Sequence, residues 1–335
     1  MQRAEGAGED AEVEAGEGED VREAGLREAF AEGAGLLLVL LAAVLWGLLG
    51  VFTAGLLAVG VGAIEIAFWR ATFAGAAFAL HASAVRSWRP FDRRSVLGVA
   101  AFAAIGVTAF YVAIARAVET GGIAVAFVLL YTAPAWVTAL AGPILGERPT
   151  RRQWAWVAIA ILGVALVATG TDGGGTVAVG PAAIAWGLTA GLAYASYYLL
   201  GKRLLHGRSP EALYAVVLPL GALGIAPFVA WSAKPPLAWV LLAGLALVST
   251  YAAYLVYGLG LKRTRASLAV VVATVEPVVA GALGWAVFGE RLGALGLVGG
   301  ALVLTAAVAV GLTARGDAGA SQDPTPTPGT PTDVA

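Results

Sequence analysis

An almost unbroken series of apolar segments from Leu36 to Thr313 limits the kinds of fold that this chain can adopt. A helix of roughly 20 apolar residues spans a hydrocarbon core about 30 Å thick. Windows of that length can be placed along nearly the whole series, and 59% of all residues are apolar whereas only 13% are charged. The alternation of apolar and polar residues that a membrane β-barrel requires is absent. The sequence therefore predicts an all-α integral membrane protein.

The apolar windows divide into ten spans, which we number TM1 to TM10. The predicted spans are 35–57, 62–83, 95–115, 120–144, 153–170, 180–201, 211–232, 237–258, 266–288 and 293–314. Residues 1–33 precede them, with eleven acidic side chains and three arginines, and the proline-rich residues 315–335 follow. Composition predicts that both terminal segments are disordered.

The sequence contains an internal duplication. Residues 130–148 match residues 273–291 without a gap at a constant offset of 143 residues, so that Pro134 corresponds to Pro277. Each proline falls near the middle of its span, removes an intrahelical hydrogen bond and frees a carbonyl. Helix breaks at matching depths in two halves are typical of the central site of a transporter. We therefore predict that Pro134 and Pro277 mark a helix break or hinge in each half.

The duplication divides the membrane-spanning part into two repeats of five helices. The first repeat covers residues 34–172 and contains TM1 to TM5, and the second covers residues 173–314 and contains TM6 to TM10. Because five is an odd number, the second repeat must enter the membrane from the opposite side. The predicted architecture is therefore ten transmembrane helices arranged as a 5+5 inverted-topology repeat.

The loops differ in positive charge. Those after TM2, TM4, TM6 and TM8 contain thirteen lysines and arginines, whereas the other five loops contain three. Positive charge accumulates in cytoplasmic loops. This asymmetry predicts a multi-pass protein of the cell membrane (plasma or inner) with both termini in the cytoplasm.

Three ionisable residues fall inside predicted spans: Glu65, Arg70 and Glu276. A charge at a helix centre costs about 2.5–3.5 kcal/mol on insertion scales, so such residues usually face a cavity or a partner. Glu276 lies near the midplane. It either binds a substrate amine or exchanges a proton, or else it is a structural carboxyl that bonds a neighbouring helix. Arg70 either binds a substrate carboxylate, pairs with Glu276 or extends to the interface. Glu65 is expected at the outer interface.

Aromatic residues form a second group of candidates. Those expected to line a binding site are Trp46, Trp186, Tyr194, Tyr198, Tyr251 and Tyr254. The tyrosines follow helical spacing, which predicts that their hydroxyls share a face. Hydroxyls of this kind also join helices to one another, so a structural role is the alternative.

Several of these segments resemble the EamA family of the drug/metabolite transporter superfamily. The similarity is carried by the segments that end in Gly146-Glu147-Arg148 and Gly289-Glu290-Arg291, and by residues 63–70, which look like the family's second helix ending in arginine. The resemblance covers roughly residues 35–314 as two EamA-like halves. It implies a carrier of small polar metabolites, often amino acids moved outward, driven by an ion gradient or by the solute gradient itself. We interpret Glu147 and Glu290 as structural residues that tie their loops to neighbouring arginines.

The predicted function is that of a secondary transporter that exports a small polar metabolite, such as an amino acid, by alternating access between the two repeats. The alternatives are a hydrophobic-drug exporter and a non-transporting membrane scaffold or accessory subunit. The expected partners are a small-molecule substrate, the lipid bilayer and, as a candidate coupling ion, the proton; nucleic acid is not expected.

An enzyme is not expected, nor is a cofactor or a metal site. The two histidines, His81 and His206, lack a metal-binding spacing, and the chain contains no cysteine. The phosphate-binding Gly-x-x-x-x-Gly-Lys motif is also absent from the sequence, so ATP bound at such a loop cannot drive transport.

Overall fold

A computed structural model describes Arg27 and residues 30–88, 91–169, 180–288 and 293–320. The chain is helical over these residues and contains no strand within them. We number the helices of this described part α1 (Phe30–Ala58), α2 (Ala63–Ala84), α3 (Ser95–Gly122), α4 (Val125–Leu145), α5 (Arg151–Thr169), α6 (Pro181–Leu205), α7 (Pro210–Phe228), α8 (Pro236–Leu261), α9 (Ala266–Val287) and α10 (Ala294–Ala320).

Eight helices of the described part of the chain, α1 to α4 and α6 to α9, are long and apolar enough to cross a membrane. The prediction of an all-α membrane protein is confirmed at this level, whereas ten spans in a 5+5 inverted arrangement stay a prediction. The two terminal segments contribute more helix than expected, because α1 begins at Phe30 and α10 continues to Ala320. The rest of both segments, apart from Arg27, lies outside the described residues.

Small residues allow the closest helix pairs to approach. Helix α2 packs along α7, α5 along α10, and α6 along α3 and α4. A side-chain carbon added at Gly75 of α2 would lie 2.7 Å from the ring of Pro219 in α7, and one at Gly163 of α5 would lie 2.8 Å from a backbone oxygen of α10. Between helices in lipid, where the hydrophobic effect is weak, close backbone packing of this kind holds the bundle together.

Two π-helical segments and two turns interrupt helices near the middle of the bundle, in two corresponding pairs. Helix α3 contains a π-helical segment at Ala103–Ala109, and α8 contains another at Leu247–Ala252. Helix α4 is broken by a turn at residues 131–132, and α9 by a turn at residues 274–275. The two members of each pair lie at corresponding positions when the halves are aligned at the offset of 143 residues. Such irregular turns often occur at functional sites.

The interruptions of α4 and α9 precede the two prolines by a few residues. Pro134 is the second residue of the helix that begins at Ala133, and Pro277 is the second residue of the helix that begins at Glu276. A proline in the first turn of a helix is tolerated because its missing N–H would have no intrahelical partner there. The helix break is therefore located in the preceding turn. The hinge role of the two prolines stays a prediction.

A polar group around Glu147 closes one end of the bundle. The Glu147 carboxylate, just after α4, accepts hydrogen bonds from the backbone N–H groups of Ala266 (2.8 Å) and Ser267 (3.2 Å), which begin α9. The side-chain hydroxyl of Ser267 and the ammonium of Lys202 in α6 also donate to it, at 2.9 and 3.0 Å. Lys202 further donates to the carbonyl of Thr264 at 2.6 Å. We call these five residues the Glu147 cap.

The Glu147 cap combines helix capping with an ion pair. Its carboxylate satisfies N–H groups that have no intrahelical partner and interacts favourably with the helix dipole. Burial by itself would raise the pKa of Glu147, but the charge of Lys202 and the N–H bond of Ala266 outweigh that effect and lower the pKa. The expected arginine partner of Glu147 was wrong, because α6 brings a lysine to this end. Glu290 lies outside the described residues.

We expect Gly75→Val to destabilise the α2–α7 pair, because a side chain at Gly75 would overlap the rigid ring of Pro219. Overpacking of this kind typically costs about 1–3 kcal/mol. The measurement is thermal unfolding in detergent, with tryptophan fluorescence as the signal. Gly50→Ala is the matched control, since an added side-chain carbon there meets nothing within 4 Å. Equal unfolding temperatures for Gly75→Val and the control would contradict this packing.

Replacing Glu147 by glutamine should lower stability by about 0.5–2 kcal/mol, as the loss of a helix cap does. Because folding lowers its pKa, Glu147 contributes its full stabilisation above its ordinary pKa of 4.5 and loses it as the pH falls through the lower folded value. The stability difference between wild type and Glu147→Gln should therefore shrink on acidification, as measured by thermal unfolding at a series of pH values. Glu119→Gln, which changes an exposed carboxylate, is the control. A difference that stays constant with pH would contradict the assignment.

Candidate functional site

A cavity of about 490 Å³ occupies the half of the bundle that lies away from the Glu147 cap. It extends from the middle of the helices to the exposed residues Leu57 and Glu119 at the far end of α1 and α3. Its lining is Trp46, Leu49, Gly50, Thr53, Ala54, Leu57, Ala63, Ile66, Ala67, Arg70, Phe110, Tyr111, Ile114, Ala115, Val118, Glu119, Phe127, Leu130, Tyr194, Leu245, Tyr254 and Glu276. Most of these side chains are apolar, so the few polar ones decide what can bind.

Arg70 supplies the positive charge at the inner end of the cavity. Its Nε donates to Oγ1 of Thr250 at 2.7 Å, and its Nη2 donates to the hydroxyl of Tyr254 at 3.4 Å. Thr250 belongs to the π-helical segment of α8, which turns its hydroxyl towards α2. The Nη1 group makes no hydrogen bond to any described residue. The contacts therefore fix the guanidinium while leaving donors free for a ligand.

Two tyrosines at corresponding positions of the halves flank this guanidinium. The Arg70 Cζ atom lies 5.1 Å from the ring centre of Tyr111 in α3 and 6.0 Å from that of Tyr254 in α8. The two tyrosines are separated by the repeat offset of 143 residues. A guanidinium within about 6 Å of an aromatic face is stabilised by the ring quadrupole. Arg70 is 7% exposed and forms no ion pair with an acid among the described residues.

Glu276 is the acid at the inner end of the cavity. It is the first residue of the second part of α9, immediately after the turn at residues 274–275. Its carboxylate interacts with the charge of Arg70 and with the hydroxyl of Tyr131, yet it makes no ion-pair contact with Arg70. The N-terminus of a half-helix inside a membrane has a positive dipole end. The break in α9 therefore places both an acid and this dipole end beside the cavity, while the N–H groups of Val278 and Val279 bond to the carbonyl of Val275.

Aromatic rings form the wall around the two charges. Trp46 of α1 packs edge-on against Tyr254 with ring centres 5.6 Å apart, and its Nε1 donor has no partner among the described residues. Phe110 of α3 stacks on Tyr194 of α6 with ring centres 5.4 Å apart. Tyr198 does not line the cavity, but its hydroxyl donates to that of Tyr194 at 3.3 Å and so supports the wall from behind. This wall suits a ligand with an apolar body.

Two predicted lining residues lie elsewhere. Trp186 is 38% exposed on the outer surface of α6 and does not reach the cavity. The hydroxyl of Tyr251 contacts Nδ1 of His81 at 2.9 Å, and Tyr251 does not line the cavity. The hydroxyls of Tyr251 and Tyr254 both meet side chains of α2, those of His81 and Arg70, but only Tyr254 lines the cavity.

Glu65 lies in the first turn of α2 with its side chain buried, and its expected place at the outer interface stays a prediction. Its side chain forms an ion pair with Lys234 and accepts a hydrogen bond of 2.6 Å from the hydroxyl of Ser232. Lys234 lies over the rings of Trp69 and Trp239, at 5.8 and 5.6 Å from their centres. These contacts tie α2 to the segment between α7 and α8. Glu65 therefore has a structural partner and is not part of the cavity.

Thr250 and Tyr111 are the important site residues that sequence reasoning missed. Tyr111 could have been found, because it corresponds to Tyr254 at the repeat offset of 143 residues. Thr250 carried no comparable signal, since an isolated threonine in an apolar helix usually bonds to its own backbone. Among the described residues, no group of three His, Cys, Asp or Glu side chains could hold a metal ion.

Comparisons with known proteins show which families and structures this chain is similar to. The family model described as the EamA-like transporter family matches residues 33–169 and 181–312. A protein of Archaeoglobus fulgidus described as an uncharacterized transporter is 29% identical over 211 residues, which cover 63% of this chain and 74% of that protein. The uncharacterized transporter YwfM of Bacillus subtilis is 28% identical over 207 residues, which cover 59% of this chain and 68% of YwfM.

A solved crystal structure has the same fold. It superposes with a TM-score of 0.72 at 18% sequence identity, and the match covers 84% of this chain and 97% of that one. The family match extends over both halves and nearly the whole helical bundle. This chain therefore belongs to the EamA-like transporter family.

Proposed function

We propose that this protein is a secondary transporter that exports a small zwitterionic metabolite, such as an amino acid, by alternating access between two inverted repeats. The observation that carries the proposal is the Arg70 guanidinium, which is held by Thr250 and Tyr254 inside the cavity without an acid in ion-pair contact among the described residues. A buried charge without a partner is unfavourable. A carboxylate that enters the cavity would supply that partner.

The other polar groups fit the rest of such a substrate. A guanidinium binds a carboxylate through two parallel N–H donors, so Arg70 would orient the acid group. Glu276 faces the same cavity and would accept the hydrogen bonds of a substrate ammonium group. The rings of Trp46, Phe110 and Tyr194 would contact an apolar side chain. The proposed substrate class is therefore an amphipathic zwitterion.

The shape of the bundle supports alternating access. The cavity reaches the surface at the end of α1 near Leu57, while the Glu147 cap closes the opposite end. Corresponding helices of the two halves, α2 with α7 and α5 with α10, pack against each other. In the proposed cycle the two repeats rock about the breaks near Pro134 and Pro277, so that the cavity opens to each side in turn. With both termini in the cytoplasm, the observed state faces outward.

The apolar lining also favours a second candidate, an exporter of hydrophobic cationic or neutral compounds. Such compounds would use the aromatic wall and have no need of a fixed guanidinium. Competition between a labelled zwitterion and a hydrophobic compound separates the two functions. If only the hydrophobic compound is transported, the role assigned to Arg70 is wrong.

We expect Arg70→Lys and Thr250→Val to weaken substrate binding by different amounts. A lysine cannot form the two-point contact with a carboxylate, and losing a hydrogen bond to a charged group costs about 1.5–3 kcal/mol, which raises KM at least tenfold. Thr250→Val removes only the contact that holds Nε, so its KM should rise by a few fold, as for a hydrogen bond worth about 1 kcal/mol. The measurement is saturable counterflow of a labelled amino-acid panel in proteoliposomes.

Two variants control for the loss of an arginine or a threonine in general. Arg203→Lys changes an exposed arginine, and Thr189→Val removes an exposed hydroxyl that donates to its own helix at Ala185. Both should transport like the wild type. If Arg70→Lys has the same KM as these controls, the proposed contact between Arg70 and the substrate is contradicted.

Glu276→Gln should abolish the dependence of flux on a proton gradient, because a glutamine cannot exchange a proton. The test compares initial flux in proteoliposomes with and without an imposed gradient, for the wild type and the variant. Glu119→Gln is the matched control, since Glu119 lies at the exposed mouth of the same cavity. If the wild-type flux does not depend on the proton gradient, the protein catalyses facilitated diffusion. If the flux of Glu276→Gln still depends on the gradient, Glu276 has a structural role.

A further inference from the structure

A group of tyrosines fills the space between the cavity and the Glu147 cap. We call Tyr198 of α6, Tyr214 of α7, and Tyr254 and Tyr257 of α8 the tyrosine column. The rings are in contact: Tyr254 and Tyr214 have centres 5.2 Å apart, and Tyr198 and Tyr257 have centres 5.5 Å apart. Trp46 connects the column to the cavity, because its ring also packs at 5.2 Å from that of Tyr257. The column is thus continuous with the cavity described above.

Two hydroxyls of the column are unused in this conformation. Tyr214 and Tyr257 are both 0% exposed, and neither hydroxyl has a hydrogen-bond partner among the described residues. Removing a hydroxyl from water without giving it a new partner is unfavourable. Phenylalanine would fill the same space without that penalty. Two tyrosines in such positions therefore point to another conformation in which their hydroxyls are hydrogen-bonded.

The position of the column indicates what that other conformation is. Tyr198 lies one turn before Lys202 on α6, and Tyr257 lies one turn before the end of α8 at Leu261. Lys202 belongs to the Glu147 cap, so the column begins at the cavity and ends directly beneath the closed end of the bundle.

We infer that the tyrosine column is the closed section of the transport pathway, and that the Glu147 cap is the lock that keeps it shut. When the bonds of the Glu147 cap break, α6 moves away from the loop between α8 and α9 and from the first turn of α9. The hydroxyls of Tyr214 and Tyr257 then face the open path. There they would bond to water and to the polar groups of the passing solute. The inference rests on the proposed transport function, which it extends by naming the lining and the lock of the second half-path.

The chemistry of the cap suits a lock that opens without leaving unsatisfied groups. Four donors converge on the Glu147 carboxylate, and two of them are backbone N–H groups at the start of α9. Because the cap lies at the end of the bundle, water can replace each of these bonds when the helices part. Replacement of these bonds by water lowers the energy cost of opening, and a solute that binds the open state better would shift the equilibrium towards it.

Site-specific thiol labelling tests the lock directly, and the absence of cysteine from this chain makes every introduced thiol unique. Gly201→Cys places a thiol on α6 between Tyr198 and Lys202, where the new side chain meets its nearest neighbour, Phe102, at 3.7 Å. Gly300→Cys is the matched control, since its nearest neighbour in α9, Val278, also lies at 3.7 Å. Both variants are labelled with a membrane-impermeant maleimide in lipid nanodiscs.

Adding Glu147→Gln should accelerate labelling of Gly201→Cys by about tenfold, the effect of losing a hydrogen bond to a charged group. The rate for Gly300→Cys should not change. Equal acceleration at both sites would mean general loosening of the bundle and would overturn the inference. An unchanged rate for Gly201→Cys would overturn it as well.

The hydroxyls are tested by Tyr214→Phe and Tyr257→Phe. If they line a closed path, each variant should keep or raise the unfolding temperature while slowing the labelling of Gly201→Cys in the Glu147→Gln background. A lower unfolding temperature would show that the hydroxyls stabilise the closed state, and the column would then be structural. Labelling requires no substrate, so the two proposals can fail separately. If Gly201→Cys becomes accessible but no solute is transported, the proposed function is contradicted. If a solute is transported but Gly201→Cys never becomes accessible, this inference is contradicted.

Discussion

The guanidinium of Arg70 determines how the centre of this bundle must be built, because a buried charge with no acid in ion-pair contact among the described residues has to be held by other means. One hydroxyl from the π-helical segment of α8, at Thr250, accepts from its Nε at 2.7 Å. Two tyrosine rings, Tyr111 and Tyr254, offer their negative faces from either side. These weaker contacts stabilise the cation and orient it, yet they do not neutralise it. The cavity consequently keeps a fixed positive charge that an anionic group can bind.

The functional groups gather where the helices are least regular. Thr250 lies in one π-helical segment, and Glu276 begins the half-helix that follows the break in α9. Irregular backbone inside a membrane is tolerated only where protein or a water-filled cavity satisfies its polar groups. The same interruptions that would weaken an isolated helix therefore provide the donors and acceptors of the site. Their recurrence in both halves explains why this region, and not the termini, carries the polar chemistry.

The two ends of the bundle differ although the sequence is duplicated. At one end the cavity reaches the surface, and at the other the Glu147 cap joins α4, α6 and α9 through a carboxylate and an ammonium group. If the two halves had the same conformation, both ends of the bundle would be either open or closed. Because one end is open and the other is closed, the two halves differ in conformation. The tyrosine column lies between these ends. The inference that this part of the molecule opens rests on the unpartnered hydroxyls of Tyr214 and Tyr257 and on the four bonds of the cap.

By itself the sequence determined the apolar helices, the family, the correspondence of Pro134 with Pro277, and the acid and base inside the predicted spans. The helices follow from a local rule, because a chain in lipid must satisfy its backbone groups internally. The structure moved each break to the turn before the proline, since a proline in the first turn of a helix loses no intrahelical hydrogen bond. The partner of each polar side chain was decided only by the tertiary structure. Thr250 meets Arg70 across 180 residues, and Tyr251 meets His81 across 170 residues. Such contacts depend on packing between helices distant in the chain, which spacing within one helix does not specify.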